Sequence, residues 1–378
     1  MQIYVVRAGD SLYALGQRFG TTVEELVRLN QIADPSRLVI GQSLVVPGGG
    51  EDVREQIEVN AYVYPFVQQA VLAESMPYYF TTLCPFSHQA TAEGELRPLE
   101  DARLIQAAYA GQTAPLLTIT NLGETGGFSS DLAHTLLTDE GVQARLLENV
   151  VALINAKSYY GLNINFEYIY PFDRDSYSQF VRRAAERLHP LGCPVSTAIA
   201  PKESGSQQGL LYTAHDYEAH GRYADRVILM TYEWGYTYGA PQAVSPVNRI
   251  RRVLDYAVTV MPAGKILMGF SNYAYDWTLP WKQGTAARVL SNAGAQELAA
   301  SRWAEIRYDK TAEAAYFHYT DTAGRRHVVW FEDARSIRAR LRLVADYGLA
   351  GISIWTADRL WRPVYAMLES FYSVEKIL

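Results

Sequence analysis

The sequence predicts an α/β chain, a (β/α)8 or TIM barrel preceded by a small βααβ module. Three observations lead there. Short apolar runs of strand character recur eight times after residue 57, with helical stretches between several of them. A compact strand–helix–helix–strand pattern fills residues 1–47. Between the two lies "PGGGEDVREQ" (47–56), a proline, three glycines and a charged run that mark the break.

The module comes first. "IYVVRAGD" is a short strand, and "SLYALGQRF" is a helix with Asp10 or Ser11 as its N-cap. "TTVEELVRLN" is a second helix, opened by a capping box from Thr22 to Glu25. "QSLVVP" supplies a strand to pair with the first. The break at residues 48–56 is short, so a module tethered there stays near the larger part of the chain. On this view its removal leaves turnover of small soluble substrates unchanged and weakens only retention on an insoluble polymer.

The barrel occupies residues 57–378. Its strands are expected at "VNAYVYP", "YYFTTLCP", "PLLTITN", "GLNINFE", "PVSTAIAP", "RVILMTYE", "KILMGFSNY" and "GLAGISIW". "DRDSYSQFVRRAAERL" and "VNRIRRVLDYAVTV" are among the intervening helices. The seventh and eighth strands stand too far apart for one helix. Residues from about 285 to 333 hold "WAEIRYDK", "AAYFHYTD" and "RHVVWFED", which predict a small α+β insertion beside the barrel mouth.

The fourth strand carries the signal for function. In "GLNINFEYIY" (161–170), Leu162, Ile164 and Phe166 alternate with Asn163, Asn165 and Glu167. The apolar set faces the helices, so two amides and a carboxylate face the barrel interior. Glu167 comes last, at the C-terminal mouth where such barrels keep their chemistry. Burying each unpaired polar group costs about 1–3 kcal/mol, so three in file indicate a site.

Composition narrows the alternatives. The chain has 378 residues, 49% apolar and 20% charged, as in a folded globular protein. A net charge of −6 argues against a nucleic-acid partner. No apolar run approaches the roughly 20 residues that span a bilayer, so no membrane partner is expected. "MQIYVVRAGDSL" lacks a basic stretch followed by a long apolar one, so no signal peptide is expected. With only Cys84 and Cys193, and no H-E-x-x-H, no metal site is predicted. No glycine-rich phosphate loop is present, and no cofactor is expected.

Two families share these patterns. "YVVRAGDSLYALGQRFG", "TTVEELVRLN" and "DPSRLVIGQSLVVP" resemble a LysM domain. The resemblance implies binding of N-acetylglucosamine-containing glycans, peptidoglycan or chitin. The glycan would lie between the loop at Gly9, Asp10, Ser11 and Leu12 and the loop from about Gln31 to Ile40, including Leu38. "YYGLNINFEY" resembles the D-G-x-D-x-D-x-E strand of glycoside hydrolase family 18, the chitinase-like barrels. That places Glu167 on the proton donor and Asn165 on the aspartate that orients the substrate's acetamido group. Tyr160 and Asn163 fall on the two further aspartates. "LMTYEWG" (229–235) resembles the family's M-x-Y-D, with Tyr232 on the acetamide-contacting tyrosine, Glu233 on its acidic neighbour and Trp234 beside it. "GISIWTADR" places Trp355 as the floor under the reacting sugar. "NAYVYP", "MTYEWGY" and "HVVWFED" resemble the LysM-bearing branch of spore germination enzymes that digest cortex peptidoglycan, which implies association with the spore coat or cortex.

Two departures stand out. "TITN" (118–121), with Asn121 as a further substrate-binding candidate, replaces the family's S-x-G-G, and Asn165 replaces an aspartate. The resemblance implies substrate-assisted retention. Glu167 protonates the glycosidic oxygen, the acetamido oxygen attacks C1, and water then opens the oxazolinium-like intermediate. A neutral Asn165 accepts the acetamido N–H at about half the strength of a carboxylate. The resulting loss is roughly 1–2 kcal/mol, about ten- to thirtyfold in rate. Two other readings stay open: a lectin-like barrel that binds glycan without cutting it, and a chitinase.

Overall fold

The computed structural model describes residues 1–48 and 55–378. Residues 49–54, most of the expected connection, lie outside the described residues.

The module holds β1 (Gln2–Val5), α1 (Leu12–Phe19), α2 (Val23–Asn30) and β2 (Ser43–Val46), with β1 and β2 antiparallel. Ser11 is the N-cap of α1, accepting from the Ala14 N–H. Thr22 caps α2 by accepting from the Glu25 N–H, but the other half of the capping box is absent. The Glu25 carboxylate turns instead to the Arg28 guanidinium, whose charge outbids a backbone N–H. Tyr4, Val6, Leu12, Leu15, Leu26, Ile32, Leu44 and Val46 form its core.

The barrel then runs β3 (Glu55–Val63), α3 (Gln69–Tyr79), β4 (Thr82–Pro85), the two-residue β5 (His88–Gln89), α4 (Ala102–Ala110) and β6 (Ala114–Thr120). Next come α5 (Ser130–Thr138), α6 (Glu140–Lys157), β7 (Gly161–Asn165), α7 (Arg174–Leu188), β8 (Val195–Ile199), α8 (Tyr217–Tyr223), β9 (Arg226–Leu229), α9 (Val247–Val260) and β10 (Ile266–Ser271). The insertion holds β11 (Ala274–Leu279), β12 (Arg288–Leu290), α10 (Asn292–Ser301), β13 (Arg307–Asp309), β14 (Ala314–Thr320) and β15 (Arg326–Phe331). Finally α11 (Ala334–Tyr347), β16 (Gly351–Trp355), α12 (Arg362–Phe371) and β17 (Tyr372–Val374) complete the chain. Parallel pairing in the order β3-β4-β6-β7-β8-β9-β10-β16, with β16 back on β3, closes the barrel.

All eight expected strands are present. The outward face of β7 packs as its alternation requires: Leu162, Ile164 and Phe166 are fully buried. Phe166 stacks on Phe180 and Tyr177 of α7 at ring separations of 5.6 and 6.1 Å.

The insertion starts earlier than expected. Its antiparallel sheet, in the order β12-β11-β15-β14-β13, begins at Ala274 rather than near 285. Only Asn272 and Tyr273 separate β10 from β11. With no glycine or proline there, nothing local announces where the barrel strand stops.

The module is docked, not merely tethered. Leu29 and Val45 belong to the main barrel core, and Val39 to the core of the insertion. Polar clips surround them. The Arg362 N–H donates to Gln31 Oε1 (3.2 Å), Gln296 Nε2 to the Asn30 carbonyl (3.1 Å), the Ala334 N–H to Ser43 Oγ (3.2 Å) and the Ile306 N–H to the Ile40 carbonyl (2.9 Å). A Cβ on Gly41, whose φ is +84°, would stand 1.8 Å from the Ile306 carbonyl oxygen. Only glycine allows this approach.

Candidate active site

The end of β7 enters a cleft of about 690 Å³ at the C-terminal mouth. Asn165, Glu167, Tyr232, Glu233 and Trp355 all line it, so the structure brings together five of the eight barrel residues expected at the site. Glu167 is half-buried, and neither carboxylate oxygen has a protein hydrogen-bond partner among the described residues. Desolvation first, and the Glu233 charge second, push its carboxyl up to about 8. At neutral pH the group therefore holds a proton and can donate it.

Its backbone is fixed by Asn121. The Asn121 amide donates to the Glu167 carbonyl (2.9 Å) and accepts from the Glu167 N–H (3.0 Å), while also donating to the Ser129 carbonyl. Fully buried, with its amide nitrogen and oxygen both engaged by backbone, Asn121 is not among the residues that line the cleft, where it was expected. It positions the acid. His215 supports the same strand end from the other side, with Nε2 3.1 Å from the Phe166 carbonyl and Nδ1 accepting from the Ala200 N–H. Burial lowers its pKa to about 4, so the ring is neutral.

Asn163 is a second correction. Its carbonyl accepts from the Tyr62 hydroxyl (2.9 Å) and its amide donates to Ser196 Oγ (2.8 Å), both inside the barrel. It is fully buried and is not among the residues that line the cleft. Trp234 is the third. It leaves the cleft to pack against the main core, with the Arg249 guanidinium 5.8 Å from its ring.

Asn165 differs from both. It is 3% exposed, yet its Oδ1 has no hydrogen-bond partner among the described residues. A buried acceptor left open on a cleft wall is suited to an N–H from a bound molecule. Trp355 forms the floor, held edge-on by Tyr62, Tyr64 and Phe86 at 5.3, 6.1 and 4.8 Å.

Glu233 has φ +63°, uncommon for a residue with a side chain, and Tyr168 at the facing rim has φ +55°. The Glu233 carboxylate accepts two hydroxyls, from Tyr273 and Tyr275, both at 2.9 Å to Oε1. Neither tyrosine was expected at the site. The spacing in "NYAYDW" offered the signal, since alternate residues share one strand face.

In the module, four of the six expected glycan contacts serve the fold. Asp10 Oδ2 accepts from the Tyr4 hydroxyl and the Arg7 N–H, Ser11 caps α1, Leu12 is buried in the core and Gly9 (φ +85°) makes the turn. Leu38 is half-buried against that core. Ile40 is 49% exposed, so its side chain remains available.

Comparison with known proteins agrees with this geometry. The profile described as "Glycosyl hydrolases family 18" matches residues 104–359, and the LysM domain profile matches residues 4–47. The chain is 40% identical to the cortical fragment-lytic enzyme of Bacillus subtilis, covering 100% of this chain and 99% of that protein. The crystal structure of the Bacillus megaterium spore cortex-lytic enzyme superposes with a TM-score of 0.94 at 31% identity, covering 100% of this chain and 99% of the other. A chitinase from Chromobacterium violaceum superposes at 0.75 and 27% identity, over 82% of this chain and 99% of its own. With a closed parallel barrel, an acid at its mouth and a LysM module packed beside it, the chain belongs to glycoside hydrolase family 18.

Proposed function

We propose that this protein cuts at N-acetylglucosamine in spore cortex peptidoglycan or its fragments during germination, as a retaining, substrate-assisted glycosidase. The observation that carries the reading is the pairing of Glu167, protonated at neutral pH, with the open Asn165 carbonyl on the same cleft wall. Glu167 donates its proton to the glycosidic oxygen as the substrate's acetamido oxygen attacks C1. Asn165 Oδ1 accepts the acetamido N–H, and the Tyr232 hydroxyl contacts the same acetamido group. Water then opens the intermediate, with Glu167 now acting as base. Trp355 supports the sugar from below.

Residues 1–47 form the glycan-binding module in this reading, 48–56 the connection and 57–378 the catalytic barrel. The cortex substrate and a place of action at the spore cortex rest on the names of the relatives in Bacillus subtilis and Bacillus megaterium, and the association with the spore coat or cortex extends that reading. Asn165, in place of a carboxylate, favours one other reading, a barrel that binds glycan without cutting it. Incubation with muramic-lactam-containing cortex fragments and with chitin oligomers separates these. New reducing ends chiefly from cortex fragments are the expected result. Preference for chitin makes the protein a chitinase, and binding without new reducing ends makes it a lectin-like barrel.

A further inference from the structure

The catalytic cleft does not end at Trp355. A second lobe of about 250 Å³ opens on its other side, between the barrel and the insertion. The two lobes share Tyr64, Phe66, Glu233 and Trp355, so a chain resting on the tryptophan passes from one into the other. Arg359 stands on the wall of the second lobe and is the one cationic side chain among the described residues lining either.

No hydrogen bond or ion pair among the described residues commits that guanidinium, which is exposed. Two carboxylates lie nearby, and each already accepts from another donor. Glu233 accepts from Tyr273 and Tyr275, and Asp358 accepts from the Tyr64 N–H at 2.7 Å. The backbone of Arg359 is nonetheless held. The buried Asn272 amide donates at 2.9 Å to the carbonyls of both Thr356 and Arg359, clamping the segment that leads out of β16. A fixed backbone, a free guanidinium and otherwise acidic walls make a place where one anionic group is welcome and the rest of the cleft repels it.

We infer that the second lobe binds a carboxylate carried by a sugar next to the one being cleaved, and that Arg359 is its recognition residue. This rests on the glycosidase reading above and sharpens it, because a neutral N-acetylglucosamine polymer offers no such group. Wall glycan carries the carboxylate in two forms, the sugar's own lactyl group or an amino acid attached to it. Its lactam form is neutral. Arg359 thus selects the substituted strand over the plain one through a single attractive contact, while the acidic walls elsewhere disfavour the carboxylate in any other position.

The test uses the full chain and Arg359→Gln and Arg359→Lys variants. Four short oligosaccharides serve as probes: one with a free lactyl carboxylate, one with a single attached alanine, one with the lactam, and a chitin oligomer. Arg359→Gln is expected to lower kcat/KM about tenfold on the carboxylate-bearing probes, through KM. The lactam and chitin probes should be unaffected. Arg359→Lys should recover only part, since an ammonium cannot form the paired contact of a guanidinium. A loss on one carboxylate probe alone identifies which form is read. Equal loss on all four probes, or none on any, overturns the inference. Calorimetric binding of the same probes to Glu167→Gln, with and without Arg359→Gln, keeps the two readings separable. Arg359-dependent binding, together with a parent protein that cleaves none of the probes, upholds the lobe and sinks the glycosidase. Cleavage with no Arg359-dependent preference does the reverse.

Discussion

At the scale of single residues, the proposed chemistry rests on one carboxyl that the fold makes unwilling to ionise. Glu167→Gln should lower turnover by at least about 10²-fold, the usual contribution of a positioned acid, while leaving glycan binding intact. In the parent, activity should fall as pH rises through about 8, where Glu167 loses its proton. The same shift has a consequence for stability. The folded carboxyl titrates near 8 and the unfolded one near 4.5, so folding retains a proton that the unfolded chain releases. Its contribution to stability is full below about 4.5 and is lost as pH rises to about 8. Glu167→Gln lacks this penalty, so its Tm advantage over the parent should grow between pH 5 and pH 8. An advantage that stays flat with pH would show that Glu167 is not raised. Asn165 gives a second test. Asn165→Ala leaves the acetamido N–H unpaired and should reduce kcat/KM on an N-acetylglucosamine substrate more than Asn165→Asp does. If the alanine variant matches the parent, Asn165 does not hold the acetamido group.

The informative elements are those whose ends meet. β7 stops at Asn165, and Glu167 owes its position to Asn121, which follows β6 and whose side-chain amide holds the Glu167 backbone by two hydrogen bonds. The Thr–Asn ending of "TITN" thus places a clamp where the family's S-x-G-G would stand. The turn before β2 plays the same part for the module. Gly41 lies against the Ile306 backbone in a left-handed conformation, so Gly41→Ala meets both a steric clash and an unfavourable φ. The variant should loosen the seam between module and insertion. Limited proteolysis near residues 47–56 is expected to speed up, with little change in turnover of small substrates. An unchanged cleavage rate would mean that the seam is not held at Gly41.

For the whole molecule, docking changes the role of the module. A tethered module would be dispensable on soluble substrates, but Leu29 and Val45 complete the barrel's own core beside α11 and α12. Deleting residues 1–47 exposes the apolar surface they cover, and the truncated barrel should melt several degrees lower and aggregate more readily. Thermal scanning decides this, and a truncated protein as stable as the parent would restore the tether view. The sequence by itself determined the eight barrel strands, the separate βααβ module and the placing of Glu167 at a mouth, because period-2 alternation and capping residues act between near neighbours. It could not show which amides were free. Asn163 and Asn165 are two residues apart on one strand face, yet one is satisfied by Tyr62 and Ser196 and the other is left open. Their partners come from strands far along the chain, as do Asn121's hold on Glu167, the grip of Tyr273 and Tyr275 on Glu233, and the seam at Ile306. Such pairings exist only once the barrel has closed, since closure alone sets which distant donor reaches which acceptor.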